Sequence, residues 1–203
     1  MARYQSSRLL PTILTLIVII IAIAGLVTLI RLVFFSGSSS NDQSQVNTAQ
    51  AALLTTDPSS SVSMTVRGPI VADENFHSYQ IVVSPNSRSI KTFNGYLDTV
   101  VSQQDLSNNT AAYDQFVHAL DKANLAAGKP LQGDKDNTSG VCATGRVYEF
   151  TITKDSQPLE TLWTSTCNGS PGSLRASVTQ VSQLFINQIP NGSNLVSQVS
   201  LSL

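Results

Sequence analysis

Residues 142–167 read CATGRVYEFTITKDSQPLETLWTSTC, and this stretch decides the fold of the C-terminal part of the chain. Residues 146–153 and 159–166 are rich in β-branched and aromatic side chains, which favour strands. Residues 154–158 lie between them and contain Asp, Ser and Pro, which favour turns. The pattern predicts an antiparallel β-hairpin with one cysteine at each end.

The two cysteines, Cys142 and Cys167, are predicted to form a disulfide across this hairpin; two free buried thiols are the alternative. Opposed residues of an antiparallel pair have a constant sum of residue numbers, so this bridge centres the turn between Lys154 and Asp155. The bridge closes a loop of about 25 residues, which the loop-entropy model values at roughly 3–4 kcal/mol. On the face of the hairpin that holds the cysteines, this register pairs Phe150 with Leu159, Tyr148 with Thr161 and Arg146 with Trp163. On the opposite face it pairs Val147 with Leu162.

Apolar residues alternate upstream of this hairpin and predict three further strands, near residues 62–66, 79–83 and 90–97. A helix is predicted from Asn109 or Thr110 to about Ala127, because four large residues repeat at helical spacing. Those residues are Tyr113, Phe116, Val117 and Leu120.

The end of the chain predicts a closing helix and a last short strand. Ser170 and Pro171 suit the start of the helix, and Pro190 suits its end. The expected element order is therefore βββαββα, an α+β two-layer domain over residues 62–203. Its helical stripe is Leu174, Val178, Val181, Phe185 and Ile189, and the last strand would hold Val199, Leu201 and Leu203.

Residues 9–30 predict a transmembrane helix, because no charged residue lies between Arg8 and Arg31. At 1.5 Å per residue the run measures roughly 33 Å, enough for a hydrocarbon core of about 30 Å. Residues 1–8 would then be a cytoplasmic N-terminus, and residues 9–35 the span with its flank. Cleavage after Ala24 is the alternative to an uncleaved anchor.

Charge sets the expected orientation. Residues 1–35 carry three arginines and no acid, so nine of the 12 basic residues and all 13 acidic residues lie in residues 36–203. The positive-inside rule places the N-terminus in the cytoplasm and the rest of the chain outside. Residues 36–61 are rich in Ser, Asn and Gln and predict a flexible linker, in which residues 45–54 allow a short helix.

Composition excludes several kinds of function. The net charge is −1 and no basic run exists, so no nucleic-acid partner is expected. Residues 134–138 resemble the start of a calcium loop, but Ser139 and Gly145 stand where such a loop needs Gly and Glu. We therefore expect a polar turn there, and neither a metal site nor a cofactor.

Catalytic groups are sparse in this chain. It has two histidines, His77 and His118, and no Gly-x-Ser-x-Gly motif. Glu149 and Glu160 are expected nearly opposite each other on the second hairpin, as solvated strand residues. We therefore expect no enzymatic activity.

The layout of anchor, Ser-rich spacer and small domain with a cysteine pair resembles uncharacterised single-pass, extracytoplasmic surface proteins of bacteria. The sequence thus favours a membrane-anchored extracytoplasmic module, non-catalytic, that binds a protein or cell-envelope component. An anchored envelope hydrolase and an accessory subunit of a membrane complex are the alternatives.

The orientation can be tested with protease added to intact cells or spheroplasts. We expect loss of residues 36–203 and protection of the short N-terminus, because the domain would lie outside. Immunoblotting of both ends measures this, and a domain fully protected in spheroplasts would reverse the orientation.

Overall fold

A six-stranded antiparallel sheet is the centre of the fold, with strands in the order β4-β3-β2-β1-β5-β6. The structure is a computed structural model that describes residues 42–199 and 201, with side chains from Thr48 onwards. The elements are α1 (Asp42–Leu53), β1 (Ser60–Arg67), β2 (His77–Val83), β3 (Ser87–Asn94), β4 (Thr99–Ser107), α2 (Thr110–Lys122), β5 (Val147–Lys154), β6 (Gln157–Ser165), α3 (Val178–Ile186) and α4 (Gly192–Gln198).

The predicted α+β class with antiparallel hairpins is confirmed, but the predicted order lacked three elements. The described residues contain a fourth strand before α2, a helix before β1 and a short helix after α3. Strand β4 lacks an alternating pattern because it is an edge strand with almost every residue exposed. Of the predicted last strand, Val199 and Leu201 are not in a strand, and Leu203 lies outside the described residues.

Helix α1 shortens the linker that was predicted over residues 36–61. Leu53 is fully buried and Ala49 nearly so, both in the main core. The Gln50 side chain donates a hydrogen bond of 2.7 Å to Asp121 on α2. A short helix in this region was anticipated, whereas a flexible linker up to residue 61 was wrong, since β1 already begins at Ser60.

Helix α2 begins as predicted. The Asn109 side chain accepts a hydrogen bond of 2.9 Å from the Ala112 N–H and caps the helix. The four predicted apolar residues are all buried. The α-helix ends at Lys122, and Asn124 has left-handed backbone before a 3₁₀ turn at Leu125–Ala127.

Helix α3 begins later than predicted. Its cap is Ser177, whose side chain accepts from the Gln180 N–H, rather than Ser170. Residues 170–174 instead lie along β6, where Ser173 Oγ accepts from the Trp163 N–H and the Leu174 N–H donates to the Trp163 carbonyl. This segment covers the free edge of β6, and a helix starting at Pro171 would leave that edge exposed.

The core lies between the helices and one face of the sheet. Val62, Met64 and Val66 of the central strand β1 are all fully buried, and they pack in one cluster with residues of all the first three helices. A second, smaller cluster of Cys142, Val147 and Trp163 lies on the other face. The domain is thus two-layered, with a small covered area on its outer face.

The disulfide between Cys142 and Cys167 is confirmed, with the two Cα atoms 5.3 Å apart. The register derived from it is wrong, because Cys142 lies outside the strand. A turn at residues 142–145, closed by the Gly145 N–H on the Cys142 carbonyl, brings Cys142 back towards its partner. The observed register pairs Phe150 with Leu162, Glu149 with Trp163, Tyr148 with Thr164 and Val147 with Ser165.

The turn of this hairpin lies within the predicted residues 154–158, but it is centred one residue later. Asp155 and Ser156 both have positive φ, 51° and 63°, as a two-residue hairpin turn requires. Trp163 is consequently on the outer face, and Phe150 faces the main core.

The predicted membrane span, residues 9–30, lies outside the described residues. Within the described part of the chain, no helix has the length and apolar character needed to cross a membrane.

The packing of α1 is tested by Leu53→Ala in the full-length chain. We expect a loss of about 2–4 kcal/mol in the free energy of unfolding, because a fully buried leucine is truncated. Ala51→Ser, at an exposed position of the same helix, is the control and should change stability by less than about 0.5 kcal/mol. Equal urea midpoints for the two variants would show that α1 does not contribute to the core.

Candidate functional site

A cleft of about 660 Å³ opens between one end of the sheet and helices α3 and α4. We call it the tyrosine cleft; its polar lining residues are Tyr79, Arg146, Tyr148, Thr179, Ser182, Gln183, Ser197 and Gln198. Among the lining residues that the structure describes, Arg146 is the only charged one. The cleft therefore presents a guanidinium and several hydroxyls, and no described carboxylate.

The two tyrosines are positioned by the central strand. Tyr79 on β2 and Tyr148 on β5 are both paired with Val66 of β1, one on each side. Neighbouring strands lie about 4.8 Å apart, so the backbones of the two tyrosines are separated by roughly 10 Å. Val66 is fully buried beneath them and holds both on the helix-covered face.

Tyr79 is a hydrogen-bond donor over the whole physiological range of pH. Burial raises its pKa well above the ordinary value, and the nearby Tyr148 raises it further, while Arg146 opposes this in part. The phenol therefore keeps its proton. Only 4% of the residue is exposed, so the hydroxyl of Tyr79 is held in place in the wall of the cleft.

Ser182 is the buried polar residue of the cleft. It is 8% exposed, and its hydroxyl oxygen is buried without a hydrogen-bond partner. The first turn of α3, with Val178 and Thr179, borders the same cleft. The first N–H groups of a helix have no intrahelical partner and carry partial positive charge, which adds to the preference for an anion.

Arg146 lies at the mouth of the cleft and is exposed. Its Nε donates a hydrogen bond of 3.1 Å to the carbonyl oxygen of Leu201, which also lines the cleft. This bond fixes the guanidinium, and no residue that the structure describes bonds its two Nη groups.

A second cavity of about 400 Å³ lies beside the tyrosine cleft, under β3 and β4. We call it the apolar pocket; Val101, Leu195 and Val199 supply apolar side chains to its mostly apolar wall, and His77, Thr92, Asn94 and Ser102 supply polar ones. Gln198 and Val199 line both cavities. The two cavities are thus neighbours along one end of the sheet, with α4 as their common border.

The acidic stretch at residues 134–138 has a structural role. Asp136 accepts hydrogen bonds from Trp163 Nε1 at 3.0 Å and from the Leu131 N–H at 3.2 Å. It therefore holds the covering loop on the outer face of the sheet. No group of three or more potential metal ligands occurs in the described residues.

Glu149 and Glu160 do not face each other, contrary to the expectation from the predicted register. Glu149 pairs with Trp163 across the hairpin and forms an ion pair of 2.9 Å with Arg67. Glu160 is paired with Ile152 and lies on the opposite face, half-buried, with one oxygen lacking a partner.

The two histidines lie apart. His118 is on the surface of α2, 3.6 Å from Asp114 of the same helix. His77 begins β2 and lines the apolar pocket. Neither of them lines the tyrosine cleft as the structure describes it.

The residues of the tyrosine cleft were not identified from sequence. Tyr79 and Tyr148 fit an ordinary strand pattern, and Arg146 reads as the first residue of a strand. Ser182 could have been identified, because a polar residue beside Val181 and Phe185 on the buried stripe of α3 indicates a functional position. The meeting of these residues depends on the sheet order, which the sequence pattern does not contain.

Comparisons with known proteins add no assignment. No protein-family model matches the chain, and no curated protein matches it.

The half-buried Glu160, one oxygen of which has no partner, makes stability depend on pH. Burial raises its pKa from the ordinary 4.5 to about 7, so the folded chain binds more protons than the unfolded chain between these values. The free energy of unfolding should fall as pH rises from about 4.5 to 7. Glu160→Gln should remove this slope and, with allowance for solvent screening, stabilise the chain at pH 8 by about 1 kcal/mol.

Thermal unfolding at pH 5, 6, 7 and 8 measures the effect. Glu74→Gln, at an exposed carboxylate, is the matched control and should retain the slope of the parent chain. An unchanged slope in Glu160→Gln would assign the pH dependence to another group.

Proposed function

We propose that the chain is a non-catalytic binding module, anchored in the cell membrane with its C-terminal domain outside, and that the tyrosine cleft is its ligand site. The proposal rests on one observation above the others: a cleft of about 660 Å³ lined by hydroxyls and one guanidinium, in which the Ser182 hydroxyl is buried without a partner. A buried hydroxyl without a hydrogen bond destabilises the folded chain by about 1–3 kcal/mol. A ligand that forms this hydrogen bond would recover that free energy.

The composition of the cleft supports binding over hydrolysis. Hydrolysis requires a general base or a nucleophile with a base beside it. The described lining contains neither histidine nor carboxylate, and the hydroxyl of Tyr79 is held protonated by the rise in its pKa. These groups donate hydrogen bonds and orient a ligand.

The location outside the membrane is supported by charge and by the disulfide. The arginines before residue 9 favour a cytoplasmic N-terminus, and the bridge between Cys142 and Cys167 is typical of an oxidising compartment. A ligand of this module would then be a component of the envelope or a protein outside the cell.

Site-specific photo-crosslinking in living cells tests the proposal. A photoreactive amino acid replaces Gln183, an exposed lining residue of the cleft, in the full-length chain. The same amino acid at Gln115, on the exposed side of α2, is the matched control. We expect a covalent adduct, seen as a defined mass increase of the intact chain, from position 183 and not from position 115.

Adducts of equal yield at both positions, or at neither, would contradict the cleft as the ligand site. An adduct at position 183 that turns into a released product on isolation would favour the anchored hydrolase instead. A stoichiometric adduct with a membrane protein at both positions would favour the accessory subunit.

A further inference from the structure

We propose that the tyrosine cleft and the apolar pocket together bind one ligand, a single-chain anionic amphiphile. Its carboxylate or phosphate head would lie in the cleft and its aliphatic chain in the pocket. This inference rests on the proposed function, because it assigns a ligand class to the same cleft.

The charge and the hydrogen-bond donors of the cleft favour an anionic head group. Arg146 supplies a guanidinium whose Nη groups bond no described residue, and such groups bind carboxylate and phosphate in a bidentate manner. The Ser182 hydroxyl is more than nine-tenths buried and has no partner. The N-terminal turn of α3 adds its partial positive charge.

A cation would find no compensating charge in this cleft. Its described lining has no carboxylate, and Tyr79 is kept neutral by burial. An anion, by contrast, meets one positive side chain together with the Ser182 hydroxyl, which has no partner. The charge pattern is therefore selective, even though residues 36–203 carry an excess of acidic residues.

The neighbouring apolar pocket favours an aliphatic chain on the same ligand. Its wall is mostly apolar, with the side chains of Val101, Leu195 and Val199, and it adjoins the cleft across Gln198 and Val199. Gln198 is exposed, so its side chain can move without loss of buried packing. Burial of each methylene group contributes about 0.8 kcal/mol to the free energy of binding, so the pocket favours an extended apolar chain.

A polypeptide fits this pair of cavities less well. Its backbone would bring N–H and C=O groups into the apolar pocket, and each buried group needs a hydrogen-bond partner. The lining offers such partners at His77, Thr92, Asn94 and Ser102, and Asn94 Oδ1 is buried without one, but the polar part of the wall is the smaller part. An aliphatic chain makes no such demand. A free inorganic anion would use the cleft alone and leave the pocket without a role.

Photoaffinity labelling tests the inference on the full-length chain in phosphatidylcholine nanodiscs. The probe is an eight-carbon carboxylic acid with a diazirine at the end of its chain. We expect label on peptides that contain Val101 and Leu195, with about tenfold less label in Arg146→Gln. Arg175→Gln, at an exposed arginine outside both cavities, is the matched control and should label as the parent does.

Ser182→Ala gives a second variant that retains the packing of α3. Its labelling should fall severalfold, because one donor to the head group is lost. The fold of each variant is checked by the disulfide linkage of Cys142 to Cys167 and by the melting temperature. Label that is unchanged in both Arg146→Gln and Ser182→Ala would overturn the assignment of the head group.

Competitors separate the sources of the anion and the rival ligands. Octanoate and octyl phosphate should both displace the probe, and the stronger of them identifies the head. Equal displacement by octanol would overturn the anionic head, and equal displacement by inorganic phosphate would overturn the role of the pocket. A carboxylate-ended tetrapeptide that displaces the probe tenfold better than octanoate would overturn the amphiphile in favour of a polypeptide.

The same experiment distinguishes failure of this inference from failure of the proposed function. If position 183 yields an adduct in cells while the probe does not label the chain, the cleft remains the ligand site and the amphiphile is wrong. If neither yields a product, both are wrong.

Discussion

The pairing of the central strand β1 with β2 and β5 is the constraint on which the other features depend. Val62, Met64 and Val66 are fully buried, so the face that β1 turns to the helices is fixed by burial. A shift of one residue in either pairing would turn every side chain of the partner strand to the opposite face. The register thereby places Tyr79 and Tyr148 on the covered face, one on each side of Val66.

Local features of the sequence predicted local structure well. Asn109 caps α2, the buried face of α2 is the expected one, and the disulfide forms between the expected cysteines. The hairpin register failed because the constant-sum rule holds only for residues within paired strands. Cys142 has a φ of 58° and lies in a turn, and a bulge after Ile152 displaces the register once more. The pattern of apolar residues indicates neither the turn at Cys142 nor the bulge after Ile152.

Strand β4 and the tyrosine cleft escaped prediction for a different physical reason. An apolar pattern reports burial, and β4 is exposed along nearly its whole length. It is held by hydrogen bonds to β3, with Leu106 packed against the main core. The cleft, likewise, is a product of topology: β5 follows α2 in the chain but pairs with β1, and only that pairing brings Arg146 and Tyr148 near Tyr79 and Ser182.

Ser182 occupies a position where an apolar residue would pack without cost. Its neighbours on α3, Val181 and Phe185, are fully buried in the main core. An alanine in its place would avoid the penalty of about 1–3 kcal/mol for an unpartnered buried hydroxyl. Folded chains are stable by only about 5–15 kcal/mol, so this penalty is a substantial fraction of the total. Local departures of this kind from the rules of stable packing are typical of functional sites, and here the departure coincides with the one described positive charge that borders the cleft.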